Sequence, residues 1–157
     1  MIIFLQPVFI QKIWGGNKLH TIFNFNLNNN NVGEAWITST IQNHESIVNN
    51  GEYKGMKLSV LWNEHQELFN NFSISSKQKE FPILIKILDA KDNLSIQVHP
   101  DDHYAKTKLN LPFGKSECWY VLDCKLKQKL VLGHNVKNKQ KLKNLIKNKN
   151  SQNMSVI

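Results

Sequence analysis

The sequence predicts a mainly β fold, an antiparallel barrel or sandwich with a small helical appendage. Two observations support this prediction. Short apolar or alternating segments recur along the chain, separated by turns that are rich in Gly and Asn. Few segments place apolar residues at the three- and four-residue spacing of a helix. The length of 157 residues, of which 41% are hydrophobic, suits one ordinary domain.

Seven segments have the apolar or alternating composition of strands: Ile2–Phe9, Gly33–Ile41, His44–Val48, Phe81–Leu88, Leu94–His99, Glu117–Cys124 and Lys129–Leu132. Pro7 suits an edge position in the first segment, which Gly15-Gly16 is expected to end. Gln42-Asn43 supplies the turn between the second and third segments. Phe81–Leu88 is densely apolar, which predicts a strand that is buried on both faces.

Leu58–Phe69 is the clearest amphipathic helix in the chain. A shorter helix is predicted over residues 102–109, with Asp101 and Asp102 at its cap, and another over Lys137–Lys149. Asn17–Phe25 is compatible with a short helix or with irregular structure. The four Asn residues at 28–31 predict a loop, and residues 73–80 predict a polar linker.

The net charge of +8 is concentrated at the C-terminal end. Residues 1–124 carry 11 Lys and 12 acidic residues, whereas residues 125–157 carry nine Lys and no acidic residue. The chain contains no Arg, although recognition of base edges and phosphates favours Arg. We therefore expect no nucleic-acid partner. The same distribution predicts a division into residues 1–124 and a region at 125–157 that holds a strand, a Lys-rich helix and a divergent tail.

No apolar run approaches the roughly 18 residues of a transmembrane helix. The opening segment also lacks the basic region and the cleavage site of a signal peptide. We therefore expect no membrane association and a cytoplasmic location.

Polar side chains alternate along the fifth predicted strand. Ser95, Gln97 and His99 would share one face of it, since alternate residues of a strand point the same way. If the strand that begins at Glu117 lies beside it, then Gln97, His99 and Glu117 converge on one point. Imidazole and carboxylate groups suit Zn²⁺, Mn²⁺ or Fe²⁺. An exposed strand would show the same alternation, so the spacing alone leaves both interpretations open.

Two blocks of sequence are specific enough to indicate a family. They are FPILIKILDAKDNLSIQVHPDDHYA (Phe81–Ala105) and GKSECWYVLD (Gly114–Asp123), with supporting matches from Gln6 to Ile146. Both blocks resemble the type I mannose-6-phosphate isomerases, which are zinc enzymes of the cupin superfamily. The resemblance implies an incomplete cupin-type jelly roll.

The resemblance also implies the roles of individual residues. Gln97, His99 and Glu117 would bind Zn²⁺, and Ser95 and Lys115 would lie beside a sugar phosphate substrate. An ammonium suits that position because it attracts a phosphate without requiring bidentate geometry. The implied reaction interconverts mannose 6-phosphate and fructose 6-phosphate, moving a proton between C2 and C1 through a general base. The catalytic residues are unknown, and Glu117 is a poor candidate for the base if it is a ligand.

The family has a further zinc-ligand histidine and an arginine near the reacting sugar, both beyond the last residue of this chain. No histidine follows His134, and the chain has no Arg. The resemblance is therefore to the N-terminal half of the enzyme, and we expect the chain to be truncated and to have little or no isomerase activity alone.

Three hypotheses follow for the function. In the first, the chain is part of an isomerase whose C-terminal half is encoded separately or lies in a misread frame. In the second, it is a non-catalytic cupin remnant. In the third, it is a basic module that binds nucleic acid or an anionic surface through its Lys-rich tail. The third ranks last because the tail has neither Arg nor interleaved aromatic residues.

Overall fold

The computed structural model describes residues 1–27, 31–69, 81–148 and 154–156. The strands in these ranges are β1 (Leu5–Gln6), β2 (Val8–Gly16), β3 (Val32–Thr38), β4 (Ile47–Val48), β5 (Ile85–Leu88), β6 (Val131–His134) and β7 (Met154–Val156). The α-helices are α1 (Lys18–Thr21), α2 (Leu58–Glu64), α3 (Asp102–Lys108) and α4 (Lys139–Lys147). Most of the predicted Asn loop at 28–31, and all of the predicted linker at 73–80, lie outside the described residues.

A three-stranded antiparallel sheet in the order β2-β3-β5 supports the first of two compact units, Met1–Leu94. Strand β3 is central, because Ala35 pairs with Phe9 of β2 on one side and with Ile87 of β5 on the other. Leu19, Val32 and Ala35 form one hydrophobic cluster against this sheet, and none of their side chains is more than 4% exposed. Removing these apolar groups from water stabilises the unit.

Helix α2 supplies the second hydrophobic cluster of this unit. Leu58 and Leu61 project from one face of the helix and pack with Val48 of β4, as the predicted periodicity requires. Strand β4 pairs with β1. The helix ends at Glu64, earlier than predicted, and the chain continues as a 3₁₀ turn over Gln66–Phe69.

The predicted first strand is wrong in its boundaries. The chain forms two strands, β1 and β2, separated at Pro7, a residue that has no N–H to donate to a strand ladder. Gly15 and Gly16 do not break the strand but are its last two residues. A Cβ at Gly15 would overlap the carbonyl oxygen of Asn31, so the missing side chain is what permits the close approach.

The predicted doubly buried strand is also wrong. Only Ile85–Leu88 of the segment is a strand, and Ile85 and Leu88 remain 49% and 39% exposed. The reason is the position of β5, which pairs with β3 alone within the described sheet and is therefore an edge strand.

Neither of the two segments that carry the candidate ligands forms a strand. Residues 94–99 and 117–124 have no regular secondary structure, although both were predicted as strands. Alternation is compatible with a strand, but a strand also needs a neighbour that accepts and donates its backbone hydrogen bonds. The described part of the chain does not pair either segment into a sheet.

The second compact unit, Ser95–Ile157, contains α3, α4 and the antiparallel pair β6–β7. Helices α3 and α4 confirm two predicted helices, and β6 begins two residues later than predicted. Short strands together with a few short helices confirm the mainly β class. The functional division at residue 124 stays a prediction. No helix within the described ranges is both long enough and apolar enough to cross a membrane.

Candidate metal and substrate site

Backbone contacts bring together the two segments that hold the candidate site residues. The N–H of Lys115 donates to the carbonyl oxygen of Pro100 at 3.0 Å. The N–H of Gly114 donates to Oδ1 of Asp102 at 2.8 Å. A Cβ at Gly114 would overlap the Pro100 carbonyl oxygen and lie 2.5 Å from the carbonyl carbon of Asp101. Glycine at position 114 therefore permits an approach that replaces the predicted strand pairing.

Helix α3 begins where the first segment ends. Asp101 is its N-cap, with an extended backbone, and its Oδ1 accepts a hydrogen bond from the N–H of Tyr104 at 2.7 Å. This bond satisfies one of the free N–H groups at the helix start, as the predicted cap requires. The backbone that follows Pro100 is therefore held by the start of α3.

His99 and Glu117 approach each other closely at this junction. His99 Nε2 and Glu117 Oε2 are 2.5 Å apart, although the residues are 18 positions apart in the sequence. Their side chains are 24% and 31% exposed, so the pair is open to small solutes. Lys115 Nζ lies 3.7 Å from the same carboxylate oxygen. The structure thus brings three of the five predicted site residues together.

The other two predicted site residues contact each other. Gln97 Nε2 donates to Ser95 Oγ at 3.0 Å, and both side chains are exposed. This hydrogen bond joins the two side chains in a segment that is not a strand. The amide oxygen of Gln97 is the atom that would bind a metal, and this hydrogen bond does not use it.

Burial acts to raise the pKa of Glu117, but its neighbours outweigh that effect. A side-chain hydrogen bond from Trp119, another from His99 and the charge of Lys115 together hold the pKa of this carboxyl below its ordinary value. Glu117 is therefore an anion at neutral pH. Because an ionised carboxylate only accepts hydrogen bonds, His99 Nε2 is the donor in the pair.

Two residues with roles at this junction were not assigned from the sequence. Trp119 is 51% exposed and hydrogen bonds to Glu117. Asp102 was expected only as part of a helix cap, and it also holds Gly114. The sequence offers no signal for the Asp102 contact, because the two residues it joins lie 12 positions apart.

The donors at this junction fit a borderline divalent metal such as Zn²⁺. An imidazole nitrogen and an ionised carboxylate oxygen face each other there. Within the described parts of the chain, no three His, Cys, Asp or Glu side chains converge. A metal at this junction would therefore rely on the Gln97 amide, on solvent, or on a donor from elsewhere.

A second charged cluster lies in the first compact unit. Glu34 is 7% exposed, accepts a hydrogen bond from Trp36 Nε1 at 2.6 Å and lies within 3.4 Å of Lys12 and Lys86. Burial raises the pKa of Glu34, but the Trp36 hydrogen bond and the charges of Lys86 and Lys12 bring it below its ordinary value. The cluster ties β2, β3 and β5 together across the sheet.

The sequence matches known proteins across the candidate site. Residues 2–120 match the family model described as phosphomannose isomerase type I, catalytic domain. The chain is 42% identical to the mannose-6-phosphate isomerase ManA of Bacillus subtilis and 44% identical to a mannose-6-phosphate isomerase of Streptococcus mutans, each over 144 residues. Both alignments cover 92% of this chain and 44% of the relative.

The fold matches a known structure as well. A crystal structure of the mannose 6-phosphate isomerase from Bacillus subtilis is similar with a TM-score of 0.90 and 40% sequence identity. The similarity covers 99% of this chain and 48% of that structure. The predicted fold class, a cupin-type jelly roll in incomplete form, is thereby confirmed. The chain spans less than half the length of the relatives that it matches.

Proposed function

Because the chain belongs to the type I phosphomannose isomerase family, we propose that it supplies the metal-binding part of a mannose-6-phosphate isomerase. In this proposal Gln97, His99 and Glu117 hold Zn²⁺, and Ser95 and Lys115 bind the phosphate of the sugar. The observation that carries the proposal is the 2.5 Å approach of His99 Nε2 to Glu117 Oε2.

The protonation of this pair supports the proposal. A metal ligand has to be deprotonated, and the lowered pKa of Glu117 keeps its carboxylate ionised at neutral pH. A metal ion that binds between His99 Nε2 and Glu117 Oε2 would have to displace the imidazole proton. Zn²⁺ would then substitute for a proton, and the two side chains would need only a small separation to receive it.

The chain's own residues would bind and orient the substrate. When bound, Zn²⁺ would polarise the carbonyl and hydroxyl oxygens of the open-chain sugar. Lys115 is 46% exposed at its side chain, so its ammonium is accessible to a phosphate from solvent. Attraction at the phosphate end would hold C1 and C2 in one orientation. No residue of this chain is assigned as the base that moves the proton.

We propose further that polypeptide equivalent to the rest of the relatives completes this site, either in the same chain or as a separate C-terminal half. Two facts support this. The matches cover only 44% of each relative, and no cluster of three His, Cys, Asp or Glu forms in the described ranges.

We also propose that the site operates in the cytoplasm.

Zinc binding by the chain tests the proposed ligands. Isothermal titration with Zn²⁺ should detect a site in the unmodified chain that His99→Ala removes. His103→Ala is the matched control, because His103 lies four residues away on the exposed face of α3 and should leave binding unchanged. Equal binding by the unmodified chain and His99→Ala would overturn the proposed ligand set.

Turnover tests the activity. With Zn²⁺ and mannose 6-phosphate, the chain alone should run far below an ordinary enzyme rate of about 10 per second. Addition of the C-terminal part of ManA should raise the rate. A zinc-loaded mixture without turnover would instead favour the non-catalytic cupin, and an ordinary rate from the chain alone would contradict the need for completion.

A further inference from the structure

Two residues outside the proposed ligand set hold the site segments together. Asp102 Oδ1 accepts a hydrogen bond from the N–H of Gly114 at 2.8 Å. Gly114 in turn packs directly on the backbone of residues 100–102. Pro100 follows His99 immediately, and Gly114 lies three residues before Glu117. The contact therefore spans the two segments at the point where His99 and Glu117 meet.

We propose that Asp102 and Gly114 form a positioning clamp that sets the separation of His99 and Glu117. The consequence for metal affinity rests on the proposed function, whereas the effect on the His99–Glu117 contact does not. Neither residue would touch the metal or the substrate. Each would act through the two side chains that do.

The carboxylate of Asp102 suits this role for two reasons. Asp102 is the first residue of α3, so its backbone is held by the helix and its side chain projects from an ordered base. A hydrogen bond from a backbone N–H to an ionised acceptor is also about twice as strong as one between neutral groups. The bond thus ties a segment without secondary structure to the start of a helix.

Asp101 and Asp102 are adjacent but do different things. Asp101 accepts from Tyr104 within its own helix, whereas Asp102 accepts from Gly114, 12 residues away. Both are exposed carboxylates that each bind one backbone N–H. Loss of Asp101 should remove one bond of the α3 cap and leave the Asp102 carboxylate in place, whereas loss of Asp102 should release the second segment. The chain therefore contains its own matched control.

Gly114 affects the separation of His99 and Glu117 for a steric reason. A Cβ there would overlap the Pro100 carbonyl oxygen and crowd Asp102 N at 2.8 Å. Any side chain would push the two segments apart and strain the bond from Lys115 N–H to Pro100. Asp102 supplies the attraction of the clamp, and the missing side chain of Gly114 permits the approach.

Nuclear magnetic resonance of the metal-free chain tests the clamp directly. The readouts are the imidazole N–H proton of His99, which is hydrogen bonded to Glu117, and the exchange rate of the Gly114 amide. Asp102→Ala and Gly114→Ala should both abolish the His99 signal, and Asp102→Ala should accelerate Gly114 exchange. Asp102→Asn keeps an acceptor oxygen and should restore both readouts. Asp101→Ala removes one bond of the helix cap but keeps the Asp102 carboxylate, and should change both readouts much less than Asp102→Ala does.

Three results would overturn the clamp: a His99 signal that survives Asp102→Ala, an equal loss in Asp101→Ala, or no such signal in the unmodified chain. Resonances of β6 and α4, which lie in the same compact unit as the substitutions, report whether each variant is folded. Co²⁺ titration, followed by its visible absorption, is the second measurement. Disturbing groups that orient metal ligands commonly costs about 10- to 100-fold in affinity, and we expect that loss for Asp102→Ala but not for Asp101→Ala.

The two measurements separate the clamp from the proposed function. If the unmodified chain binds no Co²⁺ but the His99 signal depends on Asp102, the clamp stands and the metal role fails. If the His99 signal is unchanged in Asp102→Ala and Co²⁺ binds that variant and the unmodified chain with equal affinity but does not bind His99→Ala, the clamp fails and the metal role stands.

Discussion

At the scale of single residues, two carboxylates show how neighbours determine the charge of a side chain. Glu34 and Glu117 are both partly withdrawn from water, which by itself raises the pKa of a carboxyl. Each nevertheless has a lowered pKa. A tryptophan hydrogen bond and the charge of lysine stabilise the anion in both cases, and a hydrogen bond from His99 adds to this at Glu117. Glu34 uses its charge to join three strands, whereas Glu117 faces a histidine at an open junction.

Replacing Glu34 should destabilise the sheet. Glu34→Gln keeps the shape but removes the charge between Lys12 and Lys86. Hydrogen bonds to charged groups contribute about 1.5–3 kcal/mol, and we expect a loss of that order in the free energy of unfolding by urea. Glu52→Gln, at an exposed carboxylate, is the control and should change little. Equal losses in both variants would contradict this role for Glu34.

The contribution of Glu34 should also depend on pH. Its pKa is lowered from the ordinary value of 4.5, so the unfolded state binds more protons just below pH 4.5. Stability from Glu34 is therefore fully present above pH 4.5 and is lost as the pH falls through the lower folded value. The difference in unfolding free energy between the unmodified chain and Glu34→Gln should therefore shrink as the pH falls below 4.5. A difference that stays constant over that pH range would contradict the stabilising role of the Glu34 charge.

At the scale of elements, helices were easier to predict than strands. The apolar periodicity of α2 and the Asp101 cap of α3 are local signals, and both helices form close to where these signals lie. The strand pattern at 94–99 and 117–124 is equally clear in the sequence, but no strand forms there. A helix makes its hydrogen bonds within itself, whereas a strand depends on residues far away in the sequence.

The core contact of helix α2 should contribute measurably to stability. Leu61 is 1% exposed between α2 and β4, and truncation of such a residue to alanine typically costs about 2–5 kcal/mol. We expect that loss in urea unfolding for Leu61→Ala. Leu126→Ala is the matched control, since Leu126 is 92% exposed and its loss leaves no cavity. A comparable effect at both positions would refute the assigned core.

At the scale of the whole molecule, buried apolar side chains are unevenly distributed. Among the described residues, Met1–Leu94 contains every fully buried apolar side chain except Ala105. The candidate site lies in Ser95–Ile157, where Val98 and Tyr120 are 87% and 86% exposed. The region that carries the proposed chemistry therefore has little core of its own, which predicts low local stability.

Hydrogen exchange measured by mass spectrometry should show this difference. Without metal, amides of residues 95–125 should exchange faster than those of β3. Zn²⁺ should slow exchange around residues 95–119, because a ligand that binds only the folded state stabilises it. His99→Ala should remove the effect of Zn²⁺, and equal slowing in that variant would mean that the metal binds elsewhere.

The sequence by itself determined the family, the mainly β class, the helices α2 and α3 and the identity of the candidate ligands, because these depend on local pattern and on motifs such as QVHPDD and GKSECWY. Tertiary structure decided how His99 meets Glu117. Strand pairing was the predicted route, but Asp102, Gly114 and the Lys115–Pro100 hydrogen bond make the junction instead. Contacts of this kind join residues that are distant in sequence, and no local pattern encodes their geometry.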